Sequence, residues 1–236
     1  QDPDTTAFGL LDQILEENAD QIRVAANLDS KIWPTQRLSA LARMIVPRGT
    51  KPAEFAMFLR ICDRYGLDPM LGEAWLVVDS EKGGGKISVL VGRDAYLSIA
   101  DRHPDYEGYE HGVVCENDAW EVVREGERIT VNHVIGKNRG PRLRAYCVCH
   151  RRGRRPVLVV RDWTSYGHLQ GKKNWRNNPD DMLETRVITQ AHRLQFRIPG
   201  VRVLGEVDDD ETPPPVPGQT PALERTQDRI AELRRQ

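Results

Sequence analysis

Between Tyr106 and Val160 the chain reads YEGYEHGVVCENDAWEVVREGERITVNHVIGKNRGPRLRAYCVCHRRGRRPVLVV. Its apolar and β-branched residues fall in short runs, broken at Glu116-Asn117-Asp118, at Arg124-Glu125-Gly126-Glu127, from Gly136 to Pro141 and from Arg151 to Arg155. Runs of this length between turn-forming clusters predict four or five strands. Two further strand-like runs precede them, Ala74 to Val78 and Lys86 to Val91, joined by Asp79-Ser80-Glu81-Lys82-Gly83-Gly84-Gly85, a hairpin loop by composition.

Around these strands the period changes. Leu10, Leu11, Ile14, Leu15, Ala19 and Ile22 recur every three or four residues, as do Leu38, Leu41, Ala42 and Ile45, and then Ala53, Ala56, Met57 and Leu59. Such spacing puts apolar side chains on one face of a helix. A short helix is predicted from Arg93 to Asp101, closed by His103-Pro104-Asp105, and a long one from Pro179 to Phe196. Strands flanked by blocks of helices predict an α+β fold, an antiparallel β-sheet packed on helices. No repeat of fixed period is present.

Length sets the organisation. At about 150 residues per domain, 236 residues make roughly one and a half domains. Residues 1–205 are read as one core whose N-terminal helical segment, Leu10 to Ile22, joins neighbouring copies. From Glu206 to Glu211 the chain is acidic and then Pro-rich through Pro217-Gly218, so 206–221 reads as a disordered linker that buries no core. Leu223, Ile230 and Leu233 give 222–236 the spacing of a short helical tail.

Several function classes are disfavoured. No apolar run of about 18 residues exists, so no ordinary membrane span is expected, and Gln1-Asp2-Pro3-Asp4 begins no visible export signal. Cys62, Cys115, Cys147 and Cys149 are too few and scattered for a disulfide framework, which points to a reducing interior. Cys147 and Cys149 share one strand face, but no second ligand pair completes a zinc site. Ser80 and Ile87 stand where a phosphate loop ending Gly85-Lys86 needs Gly and Ser or Thr, so neither ATP nor another cofactor is expected. Glu73, Asp79, Glu81 and Lys82 are misspaced for a nuclease metal site. A metal-dependent nuclease using Glu73, Asp79 or Asp94 remains the alternative enzyme class, and an RNA-binding module the alternative binding class.

Charge is the positive clue. The 34 Lys and Arg nearly balance 35 Asp and Glu overall, yet Lys137 to Arg176 holds twelve basic residues and one acid, Asp162. Segregation of this kind fits a polyanion partner. Arg151, Arg152 and Arg154 cluster in a predicted turn. Lys172, Lys173 and Arg176 flank Trp175 in a predicted loop, and Lys86 sits beside the hairpin tip. Cations for phosphates with an interleaved aromatic for bases suit single-stranded nucleic acid. At 100° per residue, Arg186, Gln190, Arg193 and Arg197 form one stripe of the last helix, beside an apolar stripe of Leu183, Val187, Ala191, Leu194 and Ile198.

Asp63-Arg64-Tyr65-Gly66-Leu67-Asp68-Pro69, Glu73-Ala74-Trp75, Val91-Gly92-Arg93-Asp94-Ala95-Tyr96-Leu97-Ser98-Ile99-Ala100, Pro104-Asp105-Tyr106-Glu107-Gly108, Asp162-Trp163 and Gln190-Ala191-His192-Arg193-Leu194-Gln195-Phe196 follow in this order. Together they resemble the RecT/Bet (Red beta-like) family of phage recombination proteins. The resemblance implies a Rad52-like annealing core without catalytic residues. It also implies ATP-independent pairing of single-stranded DNA into an annealed duplex intermediate by a homo-oligomeric ring or helical filament. A cognate 5'-3' exonuclease, the host single-strand-binding protein and a nucleoid-associated place in the bacterial cytoplasm are implied too. Arg186 and Arg193 stand at the family's DNA-contacting positions, whereas Asp180, Asp181 and Glu184 replace basic residues of relatives. In this reading Lys172, Lys173, Arg186 and Arg193 neutralise phosphates, Gln190 positions the backbone and Trp175 stacks or wedges. Four neutralised phosphates give a log–log salt slope of about −2.8.

Overall fold

The computed structural model describes residues 19–47, 50–79, 86–199 and 201–203. The proposed joining helix up to residue 18, the Gly83–Gly85 hairpin tip, the linker and the tail lie outside these residues. Contacts divide the chain into two units, one up to Leu90 and one from Val91 to Glu211.

The first unit contains helix α1 (19–26), α2 (Thr35–Met44), α3 (Pro52–Tyr65), a 3-10 turn at Pro69–Leu71, and the neighbouring strands β1 (Ala74–Asp79) and β2 (Lys86–Val91). The predicted helical spacings mark part of its core, since Ile22, Leu38, Leu41, Ala56 and Leu59 are buried, but on α3 Ala53 and Met57 are exposed and Phe55 and Phe58 fill the core instead. Pro52 opens α3, where its missing N–H costs nothing, and the Glu54 carboxylate accepts the Lys51 N–H at 2.6 Å. Gly66, at φ 60°, takes the left-handed conformation that ends α3 and lets the Leu67 N–H reach Cys62 O at 2.8 Å. Trp33 is buried with its indole N–H donated to Asp63 at 2.9 Å, and the Arg37 guanidinium lies 4.4 Å over its ring. Here the Asp63 of the quoted motif anchors a core tryptophan.

The second unit begins with α4 (Arg93–Asp101), then β3 (Tyr106–Cys115), β4 (Ala119–Glu125), β5 (Arg128–Val134), β6 (Arg142–Arg151) and β7 (Val157–Asp162). A 3-10 turn at Trp163–Tyr166, α5 (Lys173–Asn177), α6 (Pro179–Phe196) and the two-residue β8 (Arg202–Val203) follow. The fold class is α+β, as the pattern of strands and helices predicts.

β6 is the centre of an antiparallel sheet in the order β3-β6-β7, with Cys147 opposite both His111 and Val159. Alternation along β6 separates two cores. Ala145, Cys147 and Cys149 face α6 and pack with Val113, Val159, Leu183, Val187, Ile188 and Ala191. Tyr146 and Val148 face the other way, with Val114, under Trp120, Ile129 and Val131 of the β4–β5 hairpin. The result is three layers: helix, sheet, hairpin. The two thiols point to one face, as their spacing predicts, and small side chains there let the helix approach closely. Burial pushes the Cys147 thiol up and raises Cys149 to about 12, so both stay protonated. Each fully buried Leu or Ile contributed by α6 is worth about 1.5–3 kcal/mol.

One carboxylate fastens the hairpin. The Asp118 side chain accepts from the Arg139 guanidinium at 2.7 Å, the backbone N–H of Cys115 at 2.8 Å and Gly136 at 2.9 Å, and His133 Nε2 at 3.2 Å. The Arg139 contact and these N–H donors hold its carboxyl well below the usual carboxylate range. Gly112 permits the close seat of hairpin on sheet, since a Cβ there would lie 3.1 Å from His133 Nδ1 and 3.2 Å from the Tyr146 ring.

Candidate nucleic-acid interface

Helix α6 is the spine of the candidate site, and its ends are legible locally. Pro179 occupies the first turn, Asp180 and Asp181 follow at the positive end of the helix dipole, and Arg197 closes the helix at φ 51°. The sheet side of the helix is nailed down by polar contacts. His192 is fully buried; its Nδ1–H donates to Ile188 O at 2.8 Å, which leaves Nε2 to accept from the Tyr106 hydroxyl at 3.1 Å. Burial pushes this imidazole's pKa down and the Tyr106 hydroxyl's up, so the pair is neutral. Gln195 donates its amide hydrogens to Cys149 O at 3.2 Å and Arg155 O at 3.3 Å.

The predicted basic stripe is present but divided. At its start Arg186 is only 9% exposed, and its guanidinium lies 5.7 Å from both the Tyr166 and the Trp175 ring centres. The site loses Trp175 as an exposed base-stacking surface. That side chain is 1% exposed, stacked 5.0 Å from Tyr166 and 6.0 Å from Trp163, and belongs to the core against α6. The segment around it is also not a loop: residues Lys173–Asn177 form α5, which turns the tryptophan inward and carries Lys173 and Arg176 outward. Arg186 therefore pins α5 onto α6, and its expected place as an open phosphate contact is corrected accordingly. A second reversal concerns Leu194, which is 54% exposed although the apolar stripe predicts it buried.

Farther along α6 the same stripe is uncovered. Gln190 and Arg193 are half-buried and Arg197 is exposed. Lys172 caps α5 half-buried, and Lys173 and Arg176 are exposed. Among the described residues none of these five cations lies within ion-pair distance of a carboxylate.

Five other basic residues of the Lys137–Arg176 segment are matched by acids. Arg139 meets Asp118, Arg142 meets Asp180 at 2.6 Å, Arg144 meets Asp162 at 3.4 Å, Arg152 meets Glu107 at 3.4 Å and Arg155 meets Glu127 at 3.1 Å. Arg151 is corrected as a surface cation: its guanidinium reaches His103 Nε2 at 2.7 Å and Gln195 O at 3.4 Å, and it covers the Phe196 ring at 5.4 Å. Arg152 and Arg154 remain exposed in the β6–β7 turn, Arg152 in its surface ion pair. Lys86 lies on β2, and its side chain is outside the described residues.

One residue of this surface escapes the sequence reading. Arg161 follows Val157 and Val159 on the helix-facing side of β7, opposite Ala145. Its Nη2 donates to Gln190 Oε1 at 2.6 Å and its Nη1 to Val160 O at 3.0 Å. The signal was present in the alternation: a charged residue at the next position of an apolar strand face.

Glu73, from the alternative nuclease set, accepts the Asp68 N–H at 2.7 Å, and Asp94 lies exposed beside Arg93. Among the described residues no three acidic, histidine or cysteine side chains gather as a metal site, and no helix is long and apolar enough to cross a membrane.

The second unit is thus an α+β scaffold, a sheet backed by one long helix on which Arg193 and Arg197 meet no carboxylate among the described residues. The chain belongs to the RecT family, whose family model matches residues 31–223. Members are phage-type recombination proteins that bind and anneal single-stranded DNA and are generally oligomeric. No curated protein matches the chain.

Proposed function

We propose that this protein binds single-stranded DNA along the uncovered part of α6 and the adjoining α5, and anneals complementary strands as a homo-oligomer without nucleotide hydrolysis. The observation that carries the reading is the sorting of charge. Arg193, Arg197, Lys172, Lys173 and Arg176 have no carboxylate partner among the described residues, while many of their basic neighbours do. An unmatched cation in a protein surface retains its full attraction for phosphate; a matched one has already spent it.

α5 lies over the Arg186 end of the stripe, so its basic residues extend the line begun by Arg193 and Arg197. The protein supplies backbone geometry and base pairing supplies sequence choice. No aromatic of this surface needs to enter the base stack, because Trp163, Tyr166 and Trp175 pack on one another.

The test is annealing of complementary oligonucleotides in the absence of ATP, with binding measured by fluorescence anisotropy across a NaCl series. If about four phosphates are neutralised per protomer the log–log slope is about −2.8. Salt-independent affinity, or annealing undiminished in an Arg193→Ala/Arg197→Ala/Lys172→Ala/Lys173→Ala variant, refutes the reading. RNA and DNA competitors in the same assay separate annealing of DNA from recognition of RNA.

A further inference from the structure

We propose that Arg161 on the edge strand β7 is a positioning residue for Gln190 and, with it, forms a notch for one phosphate oxygen. This rests on the nucleic-acid reading above and adds a strand-borne residue to a site otherwise built on helices.

The Gln190 amide can face the guanidinium in only one orientation. Arginine has five N–H donors and no acceptor, so the amide atom 2.6 Å from Arg161 Nη2 must be the carbonyl oxygen. With that oxygen held, the amide nitrogen is forced to the other side and no longer flips. No acceptor for it is found among the described residues, so Gln190 becomes a fixed donor.

Arg161 is itself fixed. Its Nη1 donates to Val160 O at 3.0 Å, the carbonyl of its own strand, and it emerges from the helix-facing side of the sheet beside α6. Both of its partners are neutral oxygens, and among the described residues no carboxylate lies within ion-pair distance. The remaining guanidinium hydrogens thus carry an unbalanced positive charge, and the Gln190 amide hydrogens are held within one amide width of them. Paired donors around one positive charge, ordered before the ligand arrives, suit an anionic oxygen. Arg193 follows Gln190 by three residues on the same stripe, so the notch continues a line of phosphate-binding groups.

A purely structural role is also open to such a residue, since a charged side chain on an edge strand discourages pairing with another chain. The two roles differ in what the salt dependence and the coupling to Gln190 do. Binding of a labelled oligothymidylate across a NaCl series is measured for wild type, Arg161→Gln, Arg161→Lys, Gln190→Ala, Arg193→Ala and the doubles with Gln190→Ala, with folding checked by circular dichroism.

Arg161→Gln is expected to reduce the slope by about 0.7, the loss of one phosphate contact. Gln190→Ala is expected to weaken wild-type binding about tenfold, as for a hydrogen bond to a charged group, and to have little effect once Arg161 is Gln or Lys. Arg161→Lys keeps the charge, so it should preserve the slope while abolishing the coupling, and it decides the matter if Arg161→Gln does not fold. Additive losses together with an unchanged slope in Arg161→Gln, while Arg193→Ala still weakens binding, would overturn the proposal and leave the wider reading intact. Failure of the wild type to bind at all would overturn both.

Discussion

Replacing Trp175 by alanine removes the largest fully buried side chain of the described residues from the contact between α5 and α6. The hole lies among Leu183, Val187 and the ring of Tyr166, with the Arg186 guanidinium at its edge. Tryptophan-to-alanine changes in such sites cost about 3–5 kcal/mol, a large part of the stability of an ordinary domain. Phenylalanine behaves differently. The Trp175 indole N–H finds no hydrogen-bond acceptor among the described residues, and an unsatisfied buried donor costs about 1–3 kcal/mol. Trp175→Phe loses packing volume but removes that penalty, so it is expected to lie within about 2 kcal/mol of wild type. Urea unfolding followed by circular dichroism measures both changes, and oligonucleotide annealing is assayed on the folded variants. The expected pattern is a severe loss of stability in Trp175→Ala, near-native stability in Trp175→Phe, and unchanged annealing in Trp175→Phe. A Trp175→Ala protein that is as stable as wild type yet fails to anneal would refute the core assignment and restore the exposed base-stacking role that the sequence alone predicts.

Replacing both Arg193 and Arg197 by alanine should leave the melting temperature within about 2 °C, because surface changes rarely exceed 0.5 kcal/mol, and reduce the salt slope by about 1.4; anisotropy titration and a thermal melt check the two halves. Asp118→Asn should destabilise the hairpin and raise the protease sensitivity of residues 119–134, read by limited proteolysis. The Asp118 carboxyl is depressed in the fold, so its contribution is complete above the unfolded value of about 3.9 and is lost only as pH falls toward the lower folded value. Acid unfolding of Asp118→Asn should therefore lack part of the wild-type steepness below about pH 4. His192 has a folded pKa below its ordinary value, which makes the unfolded chain the better proton binder. Stability should be full above about pH 6.5 and decline as pH falls, and His192→Gln should flatten that decline in a series of urea midpoints.

Much of the architecture is written locally. The clusters at 116–118, 124–127, 136–141 and 151–155 fall where the chain turns and delimit the strands between them, whereas the central place of 142–151 in its sheet is a fact of tertiary pairing. Pro179 and the 3.6-residue spacing locate α6 over the same residues that form it. The site was legible less completely. The stripe Arg186, Gln190, Arg193, Arg197 follows from helical period, but the period is blind to what lies on top of the helix, and α5 covers the first of the four. Leu194 fails for the complementary reason: an apolar residue is buried only where something packs over it, and the described residues leave Leu194 54% exposed.

Local chemistry by itself determined the longer helices, though not α5, the strands between Tyr106 and Val160, and the concentration of positive charge between Lys137 and Arg176. Only the tertiary structure decided which of those charges are left for a ligand. The matching acids come from 21 residues away for Arg139, 38 for Arg142, 45 for Arg152 and 28 for Arg155. Coulomb attraction depends on distance in space, so a count along the chain sees a uniform basic block. Folding divides it into cations already paired, such as Arg142 and Arg155, and others, Arg161, Lys172, Lys173 and Arg176 among them, that meet no carboxylate among the described residues.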